Sequence, residues 1–204
     1  MKSIYVTGLI LLLTLSSSIS IFGCACCIDP GYYEISTLRP SDYDLSTLNE
    51  FKYDTAAEIY EDAAGFDGIK GLDSLRKVAE VSDLLDFTFG QTFASRTWRF
   101  SIRSSTGDNG TLVLPMPRSM VKFKVDMHDN EPNTEPGLYK EFRFKGTVAS
   151  GTGMFRPDVV RGTSYFLVFQ GRGNGCDSSS DFTHWRLEVD GPKANYAFFG
   201  KLMP

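Results

Sequence analysis

The chain has 204 residues, carries 21 Lys+Arg against 25 Asp+Glu, and has a net charge of −4. Such a length amounts to one domain that buries about 70 per cent of its unfolded surface, so the core stands without a dense disulfide framework. A weakly acidic balance with two histidines and four cysteines excludes a disulfide-built miniprotein, and no nucleic-acid partner is expected. The charge is unevenly placed. Residues 28–89 hold 14 acidic against 5 basic side chains, and residues 90–204 hold 11 against 15.

The chain opens Met1-Lys2-Ser3 and then runs from Ile4 to Gly23 without a charge, the pattern of a secretory signal with a one-lysine leading region. Ser16, Ser17, Ser18 and Ser20 dilute the second half, which favours cleavage over an uncleaved membrane anchor. Ile21-Phe22-Gly23-Cys24 then resembles the lipobox of bacterial lipoproteins, with Phe22 bulkier than the residue usual at that position. The resemblance implies removal of residues 1–23 and acylation of Cys24, with palmitate among the chains. Ala25 in place of Asp resembles the signal for transfer to the outer membrane. Ordinary secretion, with a cut after Gly23 or Ala25, is the alternative. With Cys24 acylated, three thiols remain in an oxidising compartment, and Cys176 is expected to bond Cys26 or Cys27. A vicinal Cys26–Cys27 bond would be strained. A thiolate metal site built from Cys24, Cys26, Cys27 and Cys176 lacks the spacers of ordinary zinc sites, so no metal or cofactor is expected.

Residues 24–50 read as the lipidated terminus and an irregular lead-in, marked by Asp29-Pro30-Gly31 and Arg39-Pro40-Ser41. The folded domain is expected over residues 51–204. Asp54 caps a predicted helix from Thr55 to Ala64, with Gly65 as its stop. A second helix is predicted from Leu72 to Leu85, where Leu72, Leu75, Val78 and Ala79 share a face. From Phe87 onward the period changes to two. Phe87–Phe93, Trp98–Arg103, Leu112–Leu114, Val121–Met127, Leu138–Val148, Tyr165–Gln170, Thr183–Val189 and Tyr196–Leu202 all read as strands. Asp108-Asn109-Gly110 is the predicted hairpin turn, and Pro115 and Pro117 end a ladder. The fold expected is mainly β, a single antiparallel barrel or sandwich of about eight strands with one or two N-terminal helices. Trp98 and Trp185 fall at core positions. Phe51, Tyr32, Tyr33, Tyr43 and Tyr53 precede the sheet and either cover its open ends or edges or form an exposed sugar- or partner-binding cluster.

The polar positions of the strands collect Arg99, Arg103, Lys122, Lys124, Arg143, Lys145 and Arg186. As an outer surface these are solvated charges or partners for the acidic N-terminal helix; lining a groove, they would draw an anionic small molecule. His184 with Asp177 or Asp181 is the candidate base and orienting carboxylate of a hydrolase, with Cys176 a nucleophile if reduced. Gly171–Gly175 departs from a dinucleotide loop, since Cys176 replaces its third glycine and a strand follows. His128 with Asp126, Asp129, Glu131 and Glu135 matches no calcium loop, and Asn109-Gly110-Thr111 is a glycosylation sequon only in a eukaryotic secretory route. The function expected is that of an exported, lipid-anchored envelope protein facing the periplasm or surface. Its β module is expected to be non-enzymatic and to bind a ligand or another envelope component. The alternatives are a small hydrolase or carbohydrate-active enzyme on a jelly-roll scaffold, and a structural surface protein.

Overall fold

The computed structural model describes residues 33–58, 87–104, 107–126, 138–173 and 176–203. Eleven antiparallel strands form two sheets, one of seven strands and one of four, with one short α-helix among the described residues. In chain order the strands are β1 (Tyr33–Leu38), β2 (Lys52–Glu58), β3 (Phe87–Ala94), β4 (Thr97–Ser104), β5 (Asn109–Pro115), β6 (Met120–Asp126), β7 (Leu138–Thr147), β8 (Ser150–Gly151), β9 (Ser164–Arg172), β10 (Phe182–Asp190) and β11 (Asn195–Met203). The larger sheet runs β1-β6-β7-β9-β10-β11-β2, and the smaller runs β3-β4-β5-β8. Among the described residues their strands pair along one edge, where Ala56 lies opposite Thr88 and Ala57 opposite Phe87. The ladder does not close into a barrel.

All eight predicted strands are present, and β9 and β10 pair as an antiparallel hairpin: Trp185 lies opposite Phe169 and Leu187 opposite Leu167. Three further strands, β1, β2 and β8, are present, and three predictions are corrected. Residues 33–50 are not an irregular lead-in. β1 pairs with β6, Leu38 opposite Met120 and Tyr33 opposite Val125, and helix α1 spans Asp42–Glu50. Its start is fixed by a reciprocal cap: Ser41 Oγ accepts from the Asp44 N–H, and the Asp44 carboxylate accepts from the Ser41 N–H at 2.8 Å. The helix predicted from Thr55 is, as far as Glu58, strand β2. Ala56 and Ala57 favour a helix locally, but Leu202 opposite Tyr53 and Met203 opposite Lys52 draw the segment into the sheet. Here tertiary pairing overrides propensity. The rest of that predicted helix, the one at residues 72–85, and the His128 loop from residue 127 on all lie outside the described residues.

The predicted turn is also displaced. Asn109 and Gly110 are already in β5, and the connection before them bends at Gly107, φ +97°, whose N–H donates to the Ser104 carbonyl at 3.1 Å. A second tight turn joins β3 to β4 through Ser95 and Arg96, both at positive φ, although neither is a glycine or an asparagine.

The two sheets meet through their aromatic faces. Trp98 packs on Phe144 with ring centres 4.9 Å apart, and Phe89 stacks on Trp185 at 4.5 Å. Both tryptophans are buried as expected. Phe51 and Tyr53 join this core against Phe169 and Trp185, whereas Tyr33 and Tyr43 are exposed. Large rings find room by lying over glycines in the neighbouring strand. A Cβ at Gly200 would meet the Trp185 indole at 2.3 Å, and one at Gly146 the Tyr165 ring at 2.7 Å. The Tyr165 hydroxyl donates to the Pro115 carbonyl at 2.6 Å, tying β9 to the end of β5. After β7 the chain passes through Val148 and Ala149 into the other sheet, where β8 pairs with β5.

Candidate functional site

Directly opposed residues share a face of a sheet, and that rule divides the basic side chains of the larger sheet into two groups. Lys122 lies opposite Phe142 and Lys124 opposite Lys140, while Val121 lies opposite Arg143 and Phe123 opposite Glu141. Lys122, Lys124 and Lys140 therefore share the inner face with Phe142. Arg143 lies on the outer face with Val168 and Arg186, which oppose it in turn along β9 and β10. Lys145 is exposed on that same outer face, and Arg99 is exposed on the other sheet. The candidate basic residues do not form one surface.

On the inner face every lysine meets a carboxylate. Lys122 Nζ lies 2.6 Å from Asp44 Oδ1 and 2.8 Å from Asp177 Oδ2, with Lys124 Nζ 3.3 Å from Asp177 Oδ1. Lys140, buried completely, is paired with Asp181. Lys122 also sits over the Phe142 ring, 5.1 Å from its centre. Burial alone would raise the Asp44 carboxyl, but Lys122 and the Ser41 donors outweigh it and hold Asp44 below its ordinary value. Burial likewise works against the Lys122 charge, and its bonds to Asp177 and Asp44 prevail and raise it.

Helix α1 and the 176–181 loop form the lid over these charges. The Tyr43 hydroxyl donates to the Cys176 carbonyl at 2.8 Å, Thr47 to the Asp177 carbonyl at 3.1 Å, and Ser179 to Glu50 at 2.8 Å. Asp177 holds φ +61°, a conformation that aspartate tolerates better than most residues. The glycines before the loop have a steric reason. A Cβ at Gly173 would meet Asp181 Oδ1 at 1.9 Å, and one at Gly171 the Asp181 carbonyl at the same distance. Their bareness lets Asp181 reach Lys140, which accounts for Gly171 and Gly173 without a phosphate.

The proposed catalytic trio is not brought together. Asp177 and Asp181 are engaged with lysines on the inner face, whereas His184 is exposed and contacts Thr183 Oγ1 through Nδ1 at 2.9 Å. Its shallow cleft of about 320 Å³ is lined by Tyr139, Gln170, Gly171, Arg172 and Thr183. Nearby, Tyr139 donates to Glu141, which also pairs with Arg143. Burial and the Glu141 charge together push the Tyr139 hydroxyl far above its ordinary value. Arg143 lies over Phe123, and Arg186 pairs with Glu188 at 3.4 Å. No group of His, Cys, Asp and Glu able to hold a metal occurs among the described residues. Cys176 is the one cysteine they include, so no disulfide lies within them; Cys24, Cys26 and Cys27 are outside.

Asp44 and Lys140 were not singled out from the sequence, although signals for both are present. Ser41-Asp42-Tyr43-Asp44 has the spacing of a capping box, and Lys140 falls in phase with Leu138 and Phe142. No family model matches the chain, nor does any curated protein or solved structure.

Proposed function

We propose that the chain is an exported, lipid-anchored envelope protein, acylated at Cys24, whose β domain is a non-enzymatic binding module on a two-sheet sandwich scaffold. The observation that carries this reading is the position of the Cys176 loop beside the point where the chain enters the domain. Asp177 spans Lys122 and Lys124, whose partners in β1 are Ser36 and Glu34. Tyr33 begins β1 six positions after Cys27, a stretch that reaches on the order of 20 Å. A bond from Cys176 to Cys26 or Cys27 is therefore within easy reach, and it would fasten the domain next to its anchor. Engagement of Asp177 and Asp181 by lysines, away from His184, favours a binding role over hydrolysis.

Intact mass of the protein from its own host tests this. The expected result is a chain beginning at Cys24 with acyl chains attached, gaining two hydrogens when denatured and reduced. An unacylated chain would sink the anchor, and an unchanged mass on reduction would sink the disulfide.

A further inference from the structure

Three arginines from three separate connections converge at the end of the domain where β1 stops. Arg39 follows β1, Arg96 is in the β3–β4 turn, and Arg118 is in the β5–β6 connection. With Met116 and Pro117 they line a cleft of about 470 Å³ in which no carboxylate takes part among the described residues. None of the three is ion-paired among the described residues, in contrast to the lysines under α1. Like charges gathered without counter-charge repel one another, an arrangement that an incoming anion relieves.

Two features show that the cleft is shaped rather than incidental. Arg96 holds φ +57° behind Ser95 at φ +51°, in a two-residue turn where glycine or asparagine would be less strained. The chain carries an arginine there instead. Its carbonyl accepts from the Met116 N–H at 2.8 Å, which fixes the turn against the connection that carries Arg118. On the other side, Pro40 is buried immediately after Arg39 and leads into the Ser41 cap of α1.

We propose that the cleft between Arg39, Arg96 and Arg118 binds a phosphate group. Guanidinium forks match phosphate oxygens in pairs, and several converging on one group suit an anion with more than one negative charge better than a lone carboxylate. The phosphate belongs either to a soluble molecule or to a lipid headgroup. Strand β1 separates the cleft from Tyr33 by about 17 Å along the strand, and the lipid source alone rests on the anchored reading above.

Calorimetric titration of the full protein with pyrophosphate, at low and high salt, is the test. Binding is expected, weakened by salt and about tenfold to a hundredfold weaker in Arg96→Gly. That variant removes the guanidinium while relieving the turn, so it folds. Arg118→Gln is expected to lose a similar factor. In parallel, vesicles of phosphatidylglycerol and of phosphatidylcholine are compared for retention of wild type and Arg96→Gly. Arg96-dependent binding of pyrophosphate alone assigns the phosphate to a soluble ligand; Arg96-dependent preference for phosphatidylglycerol alone assigns it to a lipid. Affinity unaltered in both variants, or no binding in either arm, overturns the site. An unacylated chain that binds pyrophosphate would remove the anchor alone, and an acylated chain that binds neither probe would remove the cleft alone.

Discussion

The inner face of the seven-stranded sheet is covered in two different ways. Over Phe144, Phe169 and Trp185 the cover is the smaller sheet, and the contacts are rings on rings. Over Lys122, Lys124 and Lys140 it is helix α1 and the 176–181 loop, which bring one carboxylate after another to the lysines. Ring packing is non-directional and grows with area. The charged half has to be matched group by group, because a buried charge that loses its counter-charge is costly. The aromatic half should therefore fail through loss of volume, and the charged half through loss of matching.

The largest effect is expected in the aromatic half. Trp98 is fully buried against Phe93, Phe144 and Phe169, so Trp98→Ala should lower stability by about 3 to 5 kcal/mol in chemical denaturation. A loss under 1 kcal/mol would mean that the two sheets do not depend on each other.

In the charged half, Asp181→Ala removes the carboxylate that the buried Lys140 touches and should cost about 3 kcal/mol. The informative partner is the double variant Asp181→Leu with Lys140→Met. If matching is what matters, it should recover most of the loss. If instead it is no better than the single variant, the pair is specifying the loop's position rather than neutralising a charge.

What the sequence discloses follows the same division. The aromatic half is legible, because Trp98, Phe100 and Ile102 or Trp185, Leu187 and Val189 repeat every second residue and are bulky enough to fix both strand and face. The charged half is legible only as strands. In β6 the alternation of Val121, Phe123 and Val125 with Lys122 and Lys124 is plain, yet the apolar residues lie on the outer face and the lysines turn inward. What turns them is supplied by Asp44 and Asp177, remote in sequence. β1 and β2 escape notice for a related reason. β2 holds Asp54, Ala56 and Ala57, poor strand formers, β1 offers a single short alternation of Tyr33 and Ile35 with Glu34 and Ser36, and their partners lie in β6 and β11. The Arg39, Arg96 and Arg118 cleft has no signal at all, since each arginine is in its own connection.

The sharpest test of the charged half is its pH dependence. Asp44 is held below its ordinary value, so its contribution is complete above the unfolded carboxyl's pKa of about 4 and disappears as pH falls through the lowered folded value. Lys122 is raised, so its contribution is complete below about pH 10 and disappears as pH climbs through the raised folded value. Asp44→Asn keeps an oxygen for the Ser41 cap but removes the charge facing Lys122, which still holds Asp177. At neutral pH it should cost about 1.5 to 3 kcal/mol, the range of a hydrogen bond to a charged group. The gap between wild type and variant should then close at both ends of the pH scale, first by protonation of Asp44 and then by deprotonation of Lys122. Urea denaturation across pH reads this directly. A gap near zero from acid to alkali would show that Asp44 acts through the helix cap alone, and that the lysines under α1 are held by Asp177 without it.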